Sequence, residues 1–174
     1  MPADWTLRSL RSRDLPAYKA LRDELLAQHP EAFTSDAATE AARPAASYAG
    51  RIGLESAHGG HFTLGAWIGE RLGGAVSCEQ DPRMKVRHIG HLTGMMVRAD
   101  LRGQGLGRAL LAECIVRARR DPALDMLTLT VTSGNAAAVA LYRAAGFVRY
   151  GHLPHAIRLG ATYHDKDLMV LTLR

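Results

Sequence analysis

The sequence predicts an α/β (α+β) fold, in which a mixed and mostly antiparallel sheet of about seven strands carries about four helices. Apolar residues alternate over several short segments and recur at helical spacing between some of them. One strand–helix–strand crossover, from His88 to Val131, predicts a parallel pair within this sheet. The 174 residues are 47% hydrophobic and 22% charged, which suits a single domain over residues 1–174 and excludes a wholly disordered chain.

The first half of the chain predicts one short strand followed by helices. After a strand from Trp5 to Leu10, Asp14 is a suitable N-cap and Pro16 suits the first turn of a helix that runs to about Gln28. Pro30 ends this helix, because proline disfavours the α conformation in the residue before it. Two short helical pieces follow, Ser35 to Ala42 and Ala46 to Arg51.

The second half predicts strands that alternate with two longer helices. Leu106, Leu110 and Cys114 recur every fourth residue and indicate an amphipathic helix to about Arg120. Asn135 predicts the cap of another helix, which Gly146 ends. The predicted strands are Phe62 to Ile68, Leu72 to Glu79, His88 to Val97, Met126 to Val131, Phe147 to Leu153 and Tyr163 to Leu173, with a loop carrying Pro154 and Gly160 between the last two.

The charge of the chain favours an anionic ligand. The formal net charge is +5, and nearly all of the excess is arginine. The basic residues are scattered, and their densest cluster, residues 117–120, lies at a predicted helix end, where cations favour the helix dipole. Aromatic and basic residues do not alternate as they do in single-strand binders, which disfavours nucleic acid as a partner.

The N-terminal residues, the cysteines and the histidines indicate where the protein is located and whether it binds a metal. Residues 1–5 contain no apolar core of a secretory signal and no segment of the sequence predicts a membrane span, so we expect a cytoplasmic protein without a membrane partner. Two cysteines, Cys78 and Cys114, make neither a disulfide framework nor a zinc motif, and are expected to be buried thiols. The eight histidines have no zinc-ligand spacing, so we expect no metal.

The most informative segment is a glycine-rich turn between a predicted strand and a helix. Gly103, Gly105 and Gly107 stand at alternate positions before this helix, where free N–H groups and the helix dipole favour a phosphate. Arg102 and Arg108 would add charge at the rim. A Walker A motif needs a lysine that this segment lacks, and a dinucleotide fingerprint needs glycine or alanine where Arg108 or Leu110 stands, so both are disfavoured.

The turn resembles the pyrophosphate loop of the GNAT superfamily of acyl-CoA-dependent N-acyltransferases, which has the pattern Arg/Gln-x-x-Gly-x-Gly/Ala, here residues 102–107. The strand ending at Val97 resembles the central strand of that family. Asn135, followed by Leu141-Tyr142 and Gly146-Phe147, resembles its second cofactor motif. Ala99 stands where the family usually has proline. The clearest resemblance covers residues 88–150.

The resemblance implies a GNAT-like domain with splayed central strands and the transfer of an acetyl group from acetyl-CoA to a primary amine by direct attack. The acceptor would be a small molecule or a peptide or protein amine. The resemblance assigns strand amides to the pantetheine arm, the turn to the pyrophosphate and Asn135 to the cofactor arm. The cofactor-binding residues so implied are Met95, Met96, Val97, Arg102, Gly103, Gln104, Gly105, Leu106, Gly107, Arg108, Asn135 and Tyr142.

Two catalytic roles follow from the resemblance. Tyr142 would be the general acid that protonates the departing thiolate, although the same residue also suits simple packing of a helix on the sheet. His91 stands where many relatives place a glutamate that serves as the general base, and His91 would take over that role. A packed or surface histidine, and a mechanism without a dedicated base, are both left open.

The acceptor site and the partners are less constrained. In the family, the first helices and the last hairpin form the acceptor pocket, which implies roles for His29, Phe33, Tyr163 and Asp165. Asp165 would pair with a cationic amine, or is simply an exposed carboxylate. A non-catalytic acyl-CoA sensor is the alternative function, and an arginine-rich nucleic-acid binder is a weaker one. Homodimerisation at the edge of the last strands is left open.

Overall fold

The computed structural model describes residues 4–54, 56 and 58–174. In this part of the chain, seven strands form one sheet in the order β1-β2-β3-β4-β5-β7-β6, together with four α-helices, as the sequence predicts. The strands are β1 (Thr6–Ser9), β2 (Phe62–Ile68), β3 (Arg71–Gln80), β4 (Ile89–Val97), β5 (Met126–Thr132), β6 (Val148–Leu159) and β7 (Thr162–Thr172). The helices are α1 (Leu15–Gln28), α2 (Ala37–Ala41), α3 (Leu106–Arg120) and α4 (Ala136–Ala144).

Among the described strands, β4 and β5 form the one parallel pair, and the sheet is interrupted between them. These strands are in register from Ile89 opposite Met126 to His91 opposite Thr128, and no further pairs follow. Beyond this point β4 carries a bulge, because its register with β3 shifts and Gly94 has a φ of +57°. The strands therefore separate toward the end of β4, which confirms the expected splay.

Both faces of the sheet are covered by helices. On one face, apolar side chains of α3 and α4 pack with Leu127 and Met169 in the larger core cluster. On the other face, α1 packs Tyr18, Leu21 and Leu25 into a second cluster that contains Met96. This layering follows from the helical spacing of apolar residues, because each helix has one apolar stripe to bury. In the described residues, no helix is long and apolar enough to cross a membrane.

The last hairpin is longer than the sequence suggests, because Pro154 lies within β6 and not in a connecting loop. The turn consists only of Gly160 and Ala161. β6 is an edge strand, where proline deprives no neighbouring strand of a donor. The register with β7 also shifts between Leu153 and Ile157, so the proline lies in an irregular stretch that avoids the regular ladder.

The start of α1 differs in detail from the expected cap. Asp14 precedes the helix, but its carboxylate makes no capping hydrogen bond to it. It accepts instead from the guanidinium of Arg8, at 2.6 and 2.9 Å, and from the backbone N–H of Arg11 at 2.8 Å. The hydrogen bond from Arg8 is the main reason that the pKa of Asp14 is lowered. The residue therefore ties the end of β1 to the turn before α1.

Candidate functional site

A cleft of about 420 Å³ opens where β4 and β5 separate. It lies among the end of β4, the start of α3, the start of α4 and the segment after α1. Most of the residues predicted to bind the cofactor line it, as do two of the predicted acceptor residues. The predicted residues in its wall are His29, Phe33, Met95, Met96, Val97, Arg102, Gly103, Gly105, Leu106, Gly107, Arg108 and Asn135.

The glycine-rich turn forms one end of this cleft. Gly103 has a φ of +73° and Gly105, the N-cap of α3, a φ of +89°, a conformation that side chains with a Cβ rarely adopt. The first hydrogen bond of α3 runs from the N–H of Ala109 to the carbonyl of Gly105. The preceding amides of the first turn therefore have no acceptor within the helix. Together with the helix dipole, they make this end of the cleft suitable for an anion.

The turn is held in place by its own side chains. The Nε of Arg102 donates to the carbonyl of Val97 at 3.2 Å, and the side-chain amide of Gln104 donates to the carbonyl of Asp100 at 2.9 Å. The carboxylate of Asp100 accepts from Arg71 at 2.7 Å, and this hydrogen bond lowers its pKa. Gln104 therefore acts on the turn itself, whereas Arg102 and Arg108 line the cleft.

The end of β4 supplies a second polar element. Beyond His91, the edge of β4 that faces β5 has no strand partner among the residues that the structure describes, so backbone groups on that edge are available to an extended ligand. Met95 and Val97 pack against the cluster beneath α3, whereas Met96, on the other face, is buried against α1. The bulge at Gly94 produces this arrangement by re-aiming the residues that follow it.

Asn135 lies at the opposite wall of the cleft. Its Oδ1 accepts from the N–H of Ala138 at 3.1 Å, which confirms that it caps α4. Its Nδ2 makes no hydrogen bond within the described residues and is available to donate to a ligand. Ala138 and Leu141 of the same helix also line the cleft.

Tyr142 lies beneath the cleft and not in its lining. The side chain belongs to the core cluster under α4, is 7% exposed, and packs edge-on against Phe147 with ring centroids 5.9 Å apart. Its hydroxyl has no hydrogen-bond partner in the described part of the chain. Burial, with a smaller contribution from Cys114, raises its pKa to about 12. The phenol therefore keeps its proton across the neutral pH range.

A second cavity, of about 530 Å³, lies farther back along β3 and β4. His91 lines it, and its Nδ1 lies 2.7 Å from the hydroxyl of Thr128. Glu79 stands opposite His91 across the β3–β4 pair, and its Oε1 accepts from the hydroxyl of Thr93 at 2.6 Å. The residues of this wall are Gly50, Ser56, His58, His61, Glu79, Gln80, Asp81, Pro82 and His91, none of which lines the first cleft.

The predicted acceptor residues separate into two pairs. His29 and Phe33 line the first cleft, close to the end of β4. Tyr163 stacks instead on His155 of the last hairpin, with ring centroids 4.6 Å apart. Asp165 accepts from the N–H of His155 at 2.8 Å and lies 3.2 Å from His152. This hairpin pair lines neither cavity.

Sequence reasoning missed several polar residues near the bulge. Ser77 and Glu79 alternate along β3, a period that places polar side chains on one face and could have indicated a site. Tyr18 of α1 is fully buried, and its hydroxyl, which has no hydrogen-bond partner among the described residues, lies beside Gly94. Within those same residues, no group of three or more His, Cys, Asp or Glu side chains is arranged to hold a metal ion.

Known proteins share both the sequence pattern and the fold. The model of the acetyltransferase (GNAT) family matches residues 18–147. The mycothiol acetyltransferase of Salinispora tropica is 33% identical over 158 residues, which cover 86% of this chain and 47% of that protein. An L-methionine sulfoximine/L-methionine sulfone acetyltransferase of Pseudomonas paraeruginosa is 39% identical over 77 residues, 44% of each chain. The chain thus spans less than half the length of these curated relatives.

Solved structures agree in fold over nearly the whole chain. An acetyltransferase of the GNAT family from Streptococcus pneumoniae superimposes with a TM-score of 0.84 and 25% identity, covering 97% of this chain and 99% of that one. A GCN5-related N-acetyltransferase from Kribbella flavida gives a TM-score of 0.83 at 22% identity, covering 99% of each chain. Together with the match to the family model, these similarities show that the chain belongs to the acetyltransferase (GNAT) family.

Proposed function

We propose that this chain is an N-acetyltransferase that transfers the acetyl group of acetyl-CoA to a primary amine. One observation carries the proposal: the free amides at the start of α3 and the unpaired edge of β4 open onto the same cleft. The first element suits a pyrophosphate and the second an extended amide-bearing arm, and CoA combines both groups. The family supports the same reaction, and the single domain over residues 1–174 would carry it.

The walls of the cleft suit acetyl-CoA along its length. Backbone N–H groups from Gly103 to Arg108 would hold the pyrophosphate, with Arg102 at the rim. The backbone of Met95 to Val97 would pair with the pantetheine arm, and the Nδ2 of Asn135 would donate to the same arm. The positive φ of Gly105 gives the turn the shape that leaves these amides exposed to the cleft. A residue with a Cβ rarely adopts this conformation, so a turn without glycine here would take another shape.

The reaction needs one proton removed and one supplied. The amine nitrogen attacks the thioester carbonyl, a C–N bond forms, the C–S bond breaks, and the sulfur leaves with the electron pair. His91 would accept the proton of the amine, since the hydroxyl of Thr128 occupies its Nδ1 and leaves Nε2 for this purpose. Tyr142 would protonate the thiolate, because its phenol is neutral at the working pH.

A non-catalytic acyl-CoA sensor is the second candidate. It is favoured by the position of Tyr142, which lies under the cleft and not in its wall. Such a module would bind acetyl-CoA through the same turn and strand edge, but would release no thiol in the presence of amines.

Calorimetry followed by a thiol assay tests both candidates. We expect acetyl-CoA and free CoA to bind the wild type and not Gly105→Glu, because the new side chain is strained at positive φ and carries a negative charge into the anion site. Gly160→Glu is the matched control, since Gly160 also has a positive φ but lies in the β6–β7 turn. Thiol release with a panel of primary amines supports the enzyme, binding without release supports the sensor, and absence of binding contradicts both.

Compartment and assembly are part of the proposal. The buried, unpaired thiols of Cys78 and Cys114 support a reducing compartment such as the cytoplasm. β6 is an edge strand with exposed Val148 and Tyr150, and a second copy pairing there would form a homodimer. The two curated relatives named above are called acetyltransferases of mycothiol and of L-methionine sulfoximine and sulfone, which supports a small-molecule acceptor here.

A further inference from the structure

One segment of the chain crosses the gap between the two halves of the open sheet. Residues 29–34, called here the bridging segment, follow α1, which packs on β3 and β4. The single turn Pro30–Ala32 within this segment also contacts β5 and β6, on the other side of the gap. The bridging segment therefore forms one wall of the first cleft. Its residues in that wall are His29, Glu31, Ala32 and Phe33.

The last residue of β5 ties the bridging segment to the far half of the sheet. The hydroxyl of Thr132 donates to the backbone carbonyl of Glu31 at 2.7 Å. Thr132 is only 4% exposed, so a carbonyl that lost this donor would be costly to leave unpaired. Thr132 also lies three residues before Asn135, which stands in the opposite wall. The hydrogen bond thus joins two walls of the cleft.

A second tie comes from the neighbouring strand. Lys166 of β7 is the register partner of Thr132, and its ammonium donates to the hydroxyl of Thr34 in the bridging segment. Side chains of residues directly opposite each other in a sheet point to the same face, so both ties lie on the face that carries α1. Burial lowers the pKa of Lys166, which means that its ammonium gives up hydration to make this contact.

The carboxylates on either side of Lys166 serve other groups. Asp167 accepts from the hydroxyl of Ser133 at 3.0 Å. Both Asp165 and Asp167 lie within hydrogen-bond distance of His152. Successive residues of a strand point to opposite faces, so these carboxylates point away from the ammonium of Lys166. In the described part of the chain, the hydrogen bond of Lys166 therefore goes to the bridging segment and not to a carboxylate.

We infer that Thr132 and Lys166 are positioning residues for the pantetheine arm, which act by holding the bridging segment across the gap. The inference rests on the proposed binding of acetyl-CoA in the first cleft. The arm would lie between the free edge of β4 and the two walls that Thr132 joins.

The two ties act on the affinity through the order of this wall. A wall that must be in place before a ligand binds lowers the apparent affinity by the fraction of molecules in which it is in place. The hydrogen bonds of Thr132 and Lys166 keep that fraction high. The pyrophosphate would bind at the turn before α3, so its affinity does not depend on them.

Calorimetry with acetyl-CoA and with ADP tests the inference, because ADP carries the pyrophosphate without the pantetheine arm. Thr132→Val removes the hydroxyl at nearly constant shape, and Lys166→Met removes the charge and keeps an unbranched side chain. We expect each variant to weaken acetyl-CoA binding several-fold and the double variant to weaken it about tenfold, with the affinity for ADP within about a factor of two of the wild type. Thr132→Ser and Lys166→Arg, which keep a donor, should restore most of the affinity.

Matched controls separate the two ties from the loss of any threonine or lysine. Thr130→Val makes the same change two residues earlier on the same face of β5, where the side chain is exposed. Lys85→Met removes an exposed lysine between β3 and β4. Both controls should bind acetyl-CoA as the wild type does. Hydrogen exchange without ligand gives a second readout, in which the N–H of Ala32 should exchange faster in Thr132→Val and Lys166→Met than in the controls.

The outcomes separate this inference from the proposed function. Unchanged acetyl-CoA affinity in the folded double variant, or an equal loss of ADP affinity, overturns the positioning role, while binding of acetyl-CoA to the wild type still supports the proposed function. A loss confined to acetyl-CoA, together with faster exchange at Ala32, supports the positioning role. If the wild type does not bind acetyl-CoA, the proposed function and this inference fail together.

Discussion

The Nδ1 of His91 lies 2.7 Å from the hydroxyl of Thr128, across the last register pair before β4 and β5 separate. The contact fixes the imidazole at the point where the sheet opens. If His91 is the general base, His91→Ala should lower kcat by about a hundredfold and flatten the acidic side of its pH profile. Thr128→Val should cost only a few-fold, because the ring is kept but loses its orientation.

The control for this pair is His88→Ala, which removes a histidine three residues earlier that lines neither cavity. Its kinetics should match the wild type. Steady-state rates between pH 5.5 and 9 would check the prediction, and a pH profile that His91→Ala leaves unchanged would assign the proton to another acceptor.

Tyr142→Phe separates proton donation from binding. The pKa of Tyr142 is raised to about 12, chiefly by burial, so the phenol is protonated at neutral pH and its removal deletes a donor. We expect kcat to fall by about 10²-fold, while the calorimetric affinity for acetyl-CoA stays within a factor of two. The choice of acceptor amine should not change this result, since Tyr142 would act on the departing thiolate and not on the amine. Unchanged kcat would leave Tyr142 with a packing role against Phe147.

Gly107→Ala should separate stability from cofactor binding. Gly107 lies within the first turn of α3 at ordinary helical φ, and an added Cβ would meet Met95 at 3.5 Å, which is normal contact. Alanine is favoured over glycine within a helix by about 1 kcal/mol, so the melting temperature should rise. The pyrophosphate-loop pattern that residues 102–107 resemble also accepts alanine at its last position, so the affinity for acetyl-CoA should stay close to that of the wild type. Thermal unfolding and calorimetry on one preparation would measure both, and a large loss of affinity would contradict the placement of the pyrophosphate.

Glu40 predicts an acid-sensitive step in unfolding. Burial alone would raise the pKa of its carboxyl, but hydrogen bonds from Arg22, Tyr48 and Arg43 outweigh burial and lower it to about 2. A carboxyl whose pKa is lowered on folding stabilises the protein above its unfolded pKa and loses that contribution as pH falls toward the folded value. Stability from this group should therefore be complete above pH ~5 and decline between pH ~4.5 and 2.

Glu40→Gln tests this assignment directly. Removing one partner leaves the buried guanidinium of Arg22 without its carboxylate, so the free energy of unfolding at pH 7 should fall by about 3 kcal/mol. The decline between pH ~4.5 and 2 should become shallower in the variant. Denaturant titrations at several pH values would give both results, with the exposed Glu70→Gln as control, and parallel pH curves for variant and wild type would place the acid sensitivity elsewhere.

Local patterns predicted most of the fold. The spacing of Leu106, Leu110 and Cys114 and the cap at Asn135 are short-range signals, and each matches an element of the structure. Pro154 misled the prediction of the last hairpin. Proline normally indicates a loop, and the sequence does not reveal that this strand lies at the edge of the sheet, where proline is tolerated. The glycine-rich turn could be recognised because its three glycines lie within five consecutive residues, 103–107.

The second cavity could not be predicted in this way. Its wall joins two neighbouring strands with residues distant in sequence, Gly50, Ser56, His58 and His61, and Glu79 lies opposite His91 only through the register of the β3–β4 pair. Gln80 gives no sequence signal at all, since an unsatisfied amide oxygen is visible only in three dimensions. Sites formed by register depend on the assembled sheet, and for this reason sequence reasoning found the cofactor cleft and missed its neighbour.

The bulge at Gly94 has a kinetic consequence. It divides β4 into a part that serves one cavity and a part that serves the other, and the two walls share no described residue. Under the proposed function, acetyl-CoA in the first cleft would leave the second cavity free, so two reactants could be resident at the same time. We expect a ternary complex, intersecting double-reciprocal plots, and CoA inhibition that competes with acetyl-CoA and not with the amine.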